Sequence, residues 1–143
     1  MAIDLEKQTK DIYAAFNAHD LDKFVSFHTD DVSVESVAEG RAVHGKEGLR
    51  TYIDAYFAGF SDIKMEMTAC VFGHNRQCEE YVISGTHNGS FMGLSPTGKS
   101  VSLRGIIVRE LKEGKTSHVS NYYDSASFMH QLGVPFLPPT PQK

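Results

Sequence analysis

The sequence predicts an α+β fold, with helices in the first part of the chain and an antiparallel sheet in the second. In the first 60 residues, apolar side chains recur every three or four positions, which is typical of amphipathic helices. From residue 63 onward they alternate with polar side chains between short turns, which is typical of antiparallel strands. A chain of 143 residues can bury one sizeable core, so we expect a single domain over residues 1–143.

Three helices are predicted in the first part of the chain. Asp4 can cap a helix that ends near Asn17, and Asp20 can cap a short second helix that includes His28. A brief strand is expected at residues 32–35. The third helix carries a wide apolar stripe, which predicts that it is well buried. This stripe consists of Leu49, Tyr52, Ile53, Tyr56, Phe57 and Phe60.

Four strands are predicted in the second part, at residues 63–71, 79–86, 100–111 and 116–123. The first of them should place its apolar side chains on one face and its polar side chains on the other. These apolar residues are Ile63, Met65, Met67, Ala69 and Val71. The turn Lys112-Glu113-Gly114-Lys115 between the last two strands is typical of a hairpin. Such short connections predict an antiparallel meander.

The strand at residues 100–111 has apolar residues on both of its faces. Leu103 and Ile107 share one face, and Ile106 and Val108 share the other. Helices of the same chain are expected to cover one side of the sheet. A second subunit is a candidate for covering the other side.

The end of the chain predicts a short helix at residues 125–132, stopped by Gly133, and a Pro-rich tail at residues 133–143. The uncharged stretch at residues 125–142 is not expected to cross a membrane, because it contains four prolines. The first ten residues lack the pattern of a secretory signal. Cys70 and Cys78 are expected to be free thiols. We therefore expect a cytoplasmic protein.

The net charge and the absence of several sequence motifs make some classes of function unexpected. The net charge is −4, so no basic surface is expected to hold a nucleic acid. The histidines do not form the short-spaced pairs of a metal site, and no nucleotide-binding loop or GxSxG elbow occurs. We therefore expect no metal and no cofactor. The 9 Phe and 6 Tyr residues, with no Trp, must fill a core or line a pocket.

Several segments resemble the SnoaL-like polyketide cyclase branch of the nuclear transport factor 2-like, or ketosteroid isomerase-like, superfamily. The most specific are Gly85-Thr86-His87-Asn88-Gly89 and Gly93-Leu94-Ser95-Pro96-Thr97-Gly98. Weaker matches are Phe16-Asn17-Ala18-His19-Asp20-Leu21-Asp22, Glu113-Gly114-Lys115 and Gln131-Leu132-Gly133. The resemblance covers nearly the whole chain. It implies a cone-shaped, curved antiparallel sheet wrapped around the N-terminal helices, with an internal cavity, and a homodimer formed through the convex sheet face.

The resemblance also implies where catalytic groups would lie. The cyclases close a ring by an aldol reaction without a cofactor, using an Asp on the last strand, and that position matches Asn121 here. Two histidine positions match Val119 and Ile107, and a polar neighbour matches Gly105. In ketosteroid isomerases a Tyr and an Asp base are needed, and these positions match Ile12 and Ser36. An amide cannot accept a proton near neutral pH, so the usual acid and base are replaced.

Each candidate site residue has a functional and a structural interpretation. Asn121 and Tyr123 would orient a ligand carbonyl, or would be a satisfied buried amide and a core aromatic. Asp124 would be the base, or the cap of the last helix. His87 would be the base, or a side chain that shapes its loop. Arg109 would bind a ligand carboxylate, or would form a rim or dimer salt bridge.

The remaining candidates concern the walls and the mouth of the cavity. Glu35 and Glu39 flank the position of the missing isomerase base, so either can supply a carboxylate near the mouth, or both are simply solvated. The expected wall residues are Tyr13, Phe16, Tyr56, Ile107 and Val119.

Three function classes follow from these observations. The first is an acid/base enzyme, a cyclase or isomerase, acting without a cofactor on a hydrophobic, carbonyl-bearing small molecule. The second is a non-catalytic module that binds an apolar small molecule in the same cavity. The third is an interaction protein whose cavity is filled by its own side chains. A titratable group facing the cavity separates the first from the second.

Overall fold

A computed structural model describes residues 4–135 of the chain. The elements in chain order are α1 (Leu5–Asn17), α2 (Leu21–Ser26), β1 (His28–Ser36), β2 (Arg41–His44), α3 (Gly45–Gly59), β3 (Lys64–Phe72), β4 (Arg76–Thr86), β5 (Ser100–Lys112), β6 (Lys115–Tyr123) and α4 (Ser125–Gln131). Most of the predicted Pro-rich tail, residues 136–143, lies outside the described residues.

The helices begin where their capping residues predict. The carboxylates of Asp4, Asp20 and Asp124 each accept a hydrogen bond from the backbone N–H three residues later. The prediction that the second helix includes His28 is wrong. It ends at Ser26, and the carbonyl of Phe27 accepts a hydrogen bond from the Thr116 N–H of β6, which draws the chain into the sheet.

The strands form one curved, unclosed sheet of six strands in the order β2-β1-β6-β5-β4-β3. The four strands from β3 to β6 pair antiparallel in sequence order, so the predicted meander is confirmed. β1 is longer than predicted and lies parallel to β6, while β2, which was not predicted, pairs antiparallel with β1 at the sheet edge. Helices α1 and α3 pack on the concave face, which gives the predicted α+β architecture.

The hairpin between β5 and β6 has the predicted turn. Glu113 and Gly114 both adopt positive φ angles, 53° and 79°. Two consecutive residues in this region define the turn whose twist matches that of the flanking strands.

The prediction for β3 is wrong in its second half. Its register with β4 shifts between Met67 and Ala69, which is a β-bulge. An extra residue reverses the alternation, so Cys70 lies on the same face as Met67 and the side chain of Val71 is 72% exposed. The inner face of β3 therefore consists of Met65, Met67 and Cys70.

β5 has apolar residues on both faces, as predicted. Leu103 and Ile107 are buried on the concave face. On the convex face Ile106 lies opposite Tyr122 of β6, and the two residues are 39% and 45% exposed. Among the helices within residues 4–135, the structure contains none with the length and apolarity needed to cross a membrane.

Candidate functional site

A cavity of about 90 Å³ lies between the concave face of the sheet and the helices. Its wall is mainly apolar and aromatic, because the inward-facing residues of α1, α3 and β3 to β6 meet there. Asn121 and all the residues predicted to contact a ligand line it, namely Tyr13, Phe16, Tyr56, Ile107, Arg109, Val119 and Tyr123. Binding of a ligand in this cavity stays a prediction.

Asn121 connects two tyrosines across the cavity wall. The Tyr81 hydroxyl donates to its Oδ1 at 2.6 Å, and its Nδ2 donates to the Tyr52 hydroxyl at 3.3 Å. The side chain is therefore a hydrogen-bonded amide that also borders the cavity. Its hydrogen bonds fit the structural interpretation of Asn121 as a satisfied amide, and its position in the cavity wall fits the functional interpretation.

Glu39 extends this polar network just behind the cavity wall, where it contacts the lining residues Tyr52 and Tyr56 but does not itself line the cavity. Its side chain is only 1% exposed, although it lies in the connection between β1 and β2. Oε2 accepts hydrogen bonds from Ser36 at 2.5 Å and from the cavity-lining Tyr56 at 2.9 Å. Oε1 contacts Arg41 at 3.3 Å. We call the region formed by Glu39, Asn121 and the four tyrosines around them, Tyr52, Tyr56, Tyr81 and Tyr123, the Glu39 end.

The tyrosines of the Glu39 end stay protonated. Burial raises the pKa of Tyr52 and of Tyr81, and it raises the pKa of Tyr56 well above its ordinary value. The pKa of Tyr123 is raised by burial and by the nearby Glu39 carboxylate. Neutral hydroxyls are hydrogen-bond donors, so this end of the cavity presents donors beside a carboxylate.

A buried ion pair borders another part of the cavity. Arg109 donates to Glu79 from Nε at 2.7 Å and from Nη2 at 3.0 Å, and the Tyr13 hydroxyl donates to Glu79 at 2.9 Å. Burial by itself would raise the pKa of Glu79, but the Arg109 guanidinium outweighs it and the pKa is lowered. The interpretation of Arg109 as a rim or dimer residue is wrong, because it is 3% exposed and its partner lies on β4 of the same chain.

His28 lines the same cavity, at the start of β1. Its Nδ1 lies 2.9 Å from the carbonyl oxygen of Phe24, and its ring packs against the Phe24 ring at 5.0 Å. Burial, together with the charge of Arg109, lowers the pKa of His28 to about 3. We call the region around His28 and Arg109 the His28 end.

The two predicted bases do not line the cavity. Asp124 is exposed and caps α4 by accepting the Ser127 N–H. His87 is fully buried in the loop after β4, where its Nδ1 accepts the Thr97 N–H at 3.2 Å and its ring stacks on Phe60. The structure therefore does not bring Asp124 or His87 together with Asn121, and their catalytic roles stay untested predictions.

Four site residues were not singled out from the sequence as candidates. These are His28, Tyr52, Glu79 and Tyr81. A signal existed for two of them, because Glu79 and Tyr81 alternate with apolar Ile83 on one face of a predicted strand, which indicates a buried carboxylate. Within residues 4–135, no group of three or more His, Cys, Asp or Glu side chains is arranged to hold a metal ion.

Comparisons with known proteins agree with this fold. The model of the SnoaL-like polyketide cyclase family matches residues 7–132. IdmH from Streptomyces antibioticus, described provisionally as a polyketide cyclase, is 21% identical, with a TM-score of 0.79 over 92% of this chain and 100% of that chain. A protein of ketosteroid isomerase-like fold from Catenulispora acidiphila is 14% identical, with a TM-score of 0.79 over 96% of this chain and 100% of that chain.

AclR from Streptomyces galilaeus, described provisionally as a hydroxylase, is 22% identical, with a TM-score of 0.80 over 94% of this chain and 88% of that chain. At these identities the solved structures show a shared fold. No curated protein matches the chain.

Proposed function

The chain belongs to the SnoaL-like polyketide cyclase family, and we propose that it is a cofactor-free acid/base enzyme for a small, apolar molecule that bears a carbonyl group. The observation that carries this proposal is the Glu39 carboxylate. It is buried, and it is hydrogen-bonded to a tyrosine hydroxyl that lines a mainly apolar cavity. Cyclisation and isomerisation both begin with removal of a proton from the carbon next to a carbonyl, which needs such a base.

The proposed roles follow from the hydrogen-bonding capacity of each group. Glu39 takes up the proton that leaves the ligand carbon through the Tyr56 hydroxyl, which lines the cavity and donates to Glu39, so Tyr56 receives one proton as it gives up the other. The carbonyl oxygen then gains negative charge, which neutral donors held in an apolar wall stabilise strongly. The Tyr123 hydroxyl and the second N–H of the Asn121 amide would supply such donors, while the Tyr56 hydroxyl keeps its hydrogen bond to Glu39. Because burial raises the pKa of both tyrosines, their hydroxyls are protonated before and after this step.

Glu39 is a better base than the other buried carboxylate, Glu79. Both oxygens of Glu79 accept from the Arg109 guanidinium, and they also accept from Tyr13 and Gln77. Those bonds stabilise the carboxylate against protonation. The only cation that contacts Glu39 within the described residues is Arg41, whose side chain is 42% exposed and whose attraction is therefore weakened by solvent.

Hydrogen–deuterium exchange tests this assignment directly. Purified protein is incubated with cyclohexanone in D₂O at neutral pH, and loss of the α-proton signal is followed by ¹H NMR. We expect the wild type to accelerate exchange and Glu39→Gln to lower the rate at least 100-fold, in line with the usual contribution of a general base. Glu35→Gln is the matched control, because Glu35 is an exposed carboxylate on β1, four residues before Glu39. Asp124→Asn should also keep the rate, since Asn still caps α4.

The results separate the base assignment from the alternatives. Exchange that survives Glu39→Gln but is lost in Asp124→Asn would return the base to Asp124. Saturable binding of cyclohexanone without any exchange would favour the second candidate function, a non-catalytic binding module. That candidate is supported by the mainly apolar wall and by Asn121 at the position where the resemblance implies a catalytic Asp.

We also propose that the protein is a homodimer formed through the convex face of the sheet. Ile106 and Tyr122 are neighbours on adjacent strands there, and both are more than one-third exposed. A pair of large apolar side chains on an open sheet face is a surface that a second copy can bury. The cytoplasmic location stays a prediction from the sequence.

A further inference from the structure

We infer that the His28 end of the cavity is a recognition site for a hydroxyl group of the ligand, formed by Nε2 of His28 and the guanidinium of Arg109. The inference rests on the proposed function in one respect, namely that the cavity takes a small molecule. It adds the chemical class of that molecule, a neutral alcohol or phenol with an apolar body.

The hydrogen bond of His28 fixes which ring nitrogen can accept. The carbonyl oxygen of Phe24, 2.9 Å from Nδ1, can only accept, so Nδ1 carries the proton. In the neutral ring Nε2 is then a hydrogen-bond acceptor. The ring is 1% exposed, and its side-chain hydrogen bond to Phe24 uses Nδ1 and leaves Nε2 available. A buried acceptor that borders a cavity can be satisfied by a donor on the ligand.

Arg109 supplies the matching donor. A guanidinium has five N–H groups, and Nε, Nη1 and Nη2 each use one, to Glu79 and Thr116. One N–H on each of Nη1 and Nη2 is left over. Arg109 lines the cavity together with His28.

The charges at the His28 end select a neutral ligand group. The carboxylate of Glu79 already neutralises the Arg109 guanidinium. A ligand carboxylate would be repelled by the lone pair of Nε2, because both groups only accept hydrogen bonds. An ether or ketone would leave Nε2 without a donor. A hydroxyl satisfies both sides, because it donates to His28 and accepts from Arg109.

The rest of the ligand must be apolar and compact. The volume of about 90 Å³ leaves room for only a compact ligand body, such as a single ring. The body of the ligand therefore lies against the aromatic wall. The hydroxyl and the reacting carbonyl are bound by different groups of side chains.

Paired binding measurements with phenol and toluene test the inference, since the two differ in one hydroxyl and have nearly the same shape. By titration calorimetry we expect the wild type to bind phenol at least tenfold more tightly than toluene. His28→Phe should reduce this ratio to about 1, and His28→Gln should keep part of it because its amide oxygen can accept. His44→Gln is the matched control, since His44 is exposed and its side chain makes no cap bond.

A measurement on the wild type keeps the test independent of variant folding. Addition of phenol should shift the ¹⁵N resonance of His28 Nε2 towards that of a hydrogen-bonded acceptor, and toluene should not. Equal affinity for the two probes, no binding of phenol at millimolar concentration, or a phenol preference that survives His28→Phe would each overturn the inference. These measurements do not require catalysis, so their outcome is independent of the Glu39→Gln exchange experiment.

Discussion

Asn121 shows how one residue alters the chemistry available to this cavity. An amide cannot accept a proton near neutral pH, but it can bridge two hydroxyls, and here it joins Tyr81 to Tyr52. The proposed base is Glu39, which lies three residues beyond Ser36, the position that matches the isomerase base. Ser36 itself donates to the Glu39 carboxylate at 2.5 Å. In the proposed function, the acidic group is therefore displaced by three residues along the chain.

His28 makes a prediction about stability at acidic pH. Its pKa is lowered from 6.5 to about 3 in the folded protein, so the unfolded chain takes up a proton that the folded chain does not. The contribution of His28 is complete above pH 6.5 and is lost progressively as the pH falls towards 3. Between pH 7 and pH 5 the free energy of unfolding should decrease by about 2 kcal/mol on this account. Urea denaturation at the two pH values measures it.

His28→Gln provides the control for this pH dependence. Without the imidazole the decrease between pH 7 and pH 5 should shrink by about 2 kcal/mol. Glu79 does not interfere in this window, because its pKa is lowered from 4.5 and its contribution is lost only at more acidic pH. An identical decrease in the wild type and His28→Gln would contradict the assignment of His28 as a buried neutral imidazole.

At the scale of the elements, the packing of β4 beside β5 depends on the absence of a side chain at Gly105. Gly105 lies directly opposite Tyr81, and a Cβ at residue 105 would be 2.3 Å from the Tyr81 hydroxyl oxygen. The absence of this Cβ lets the Tyr81 ring lie across β5 and reach Asn121 on β6. The polar residue that the family resemblance places at 105 would prevent this contact.

We therefore expect Gly105→Ala to displace the Tyr81 side chain. Overpacking of this kind should lower the free energy of unfolding by about 1–3 kcal/mol and break the Tyr81–Asn121 hydrogen bond. Urea denaturation gives the first quantity, and the change in the Asn121 side-chain amide resonances reports the second.

A double-mutant cycle with Tyr81→Ala isolates the cause. In that background the ring is gone, so adding Gly105→Ala should cost much less than it does in the wild type. An equal cost in both backgrounds would mean that the backbone of β5, and not Tyr81, requires glycine at this position.

At the scale of the whole molecule, the exposed apolar side chains of the convex sheet face predict a dimer. We expect light scattering to give twice the chain mass of 15.9 kDa for the wild type. Ile106→Lys should give the monomer mass, because a buried, unpaired charge opposes association strongly. Met92→Lys is the matched control, since Met92 is 52% exposed but lies in the loop between β4 and β5. A monomeric wild type, or a dimeric Ile106→Lys variant, would contradict the proposed interface.

Local patterns in the sequence determined much of this protein. The spacing of apolar residues, the capping aspartates at 4, 20 and 124, and the Glu113-Gly114 turn predict the helices, four strands and the meander, because each depends on neighbours within a few residues. The wall residues expected from family resemblance and strand alternation all line the cavity, whereas His28, Tyr52 and Tyr81 were not among them.

The chemistry of the site was decided by the tertiary structure. Glu39 looks like a loop carboxylate until β1, β2 and α3 bury it against Tyr56, which is 17 residues further along the chain. Arg109 looks like a rim residue until its pairing with Glu79, 30 residues away, places it inside. β2 and the bulge in β3 likewise depend on partner strands. Whether a polar side chain is buried, and by which partner it is satisfied, is a property of long-range contacts, so the periodicity of the sequence does not contain it.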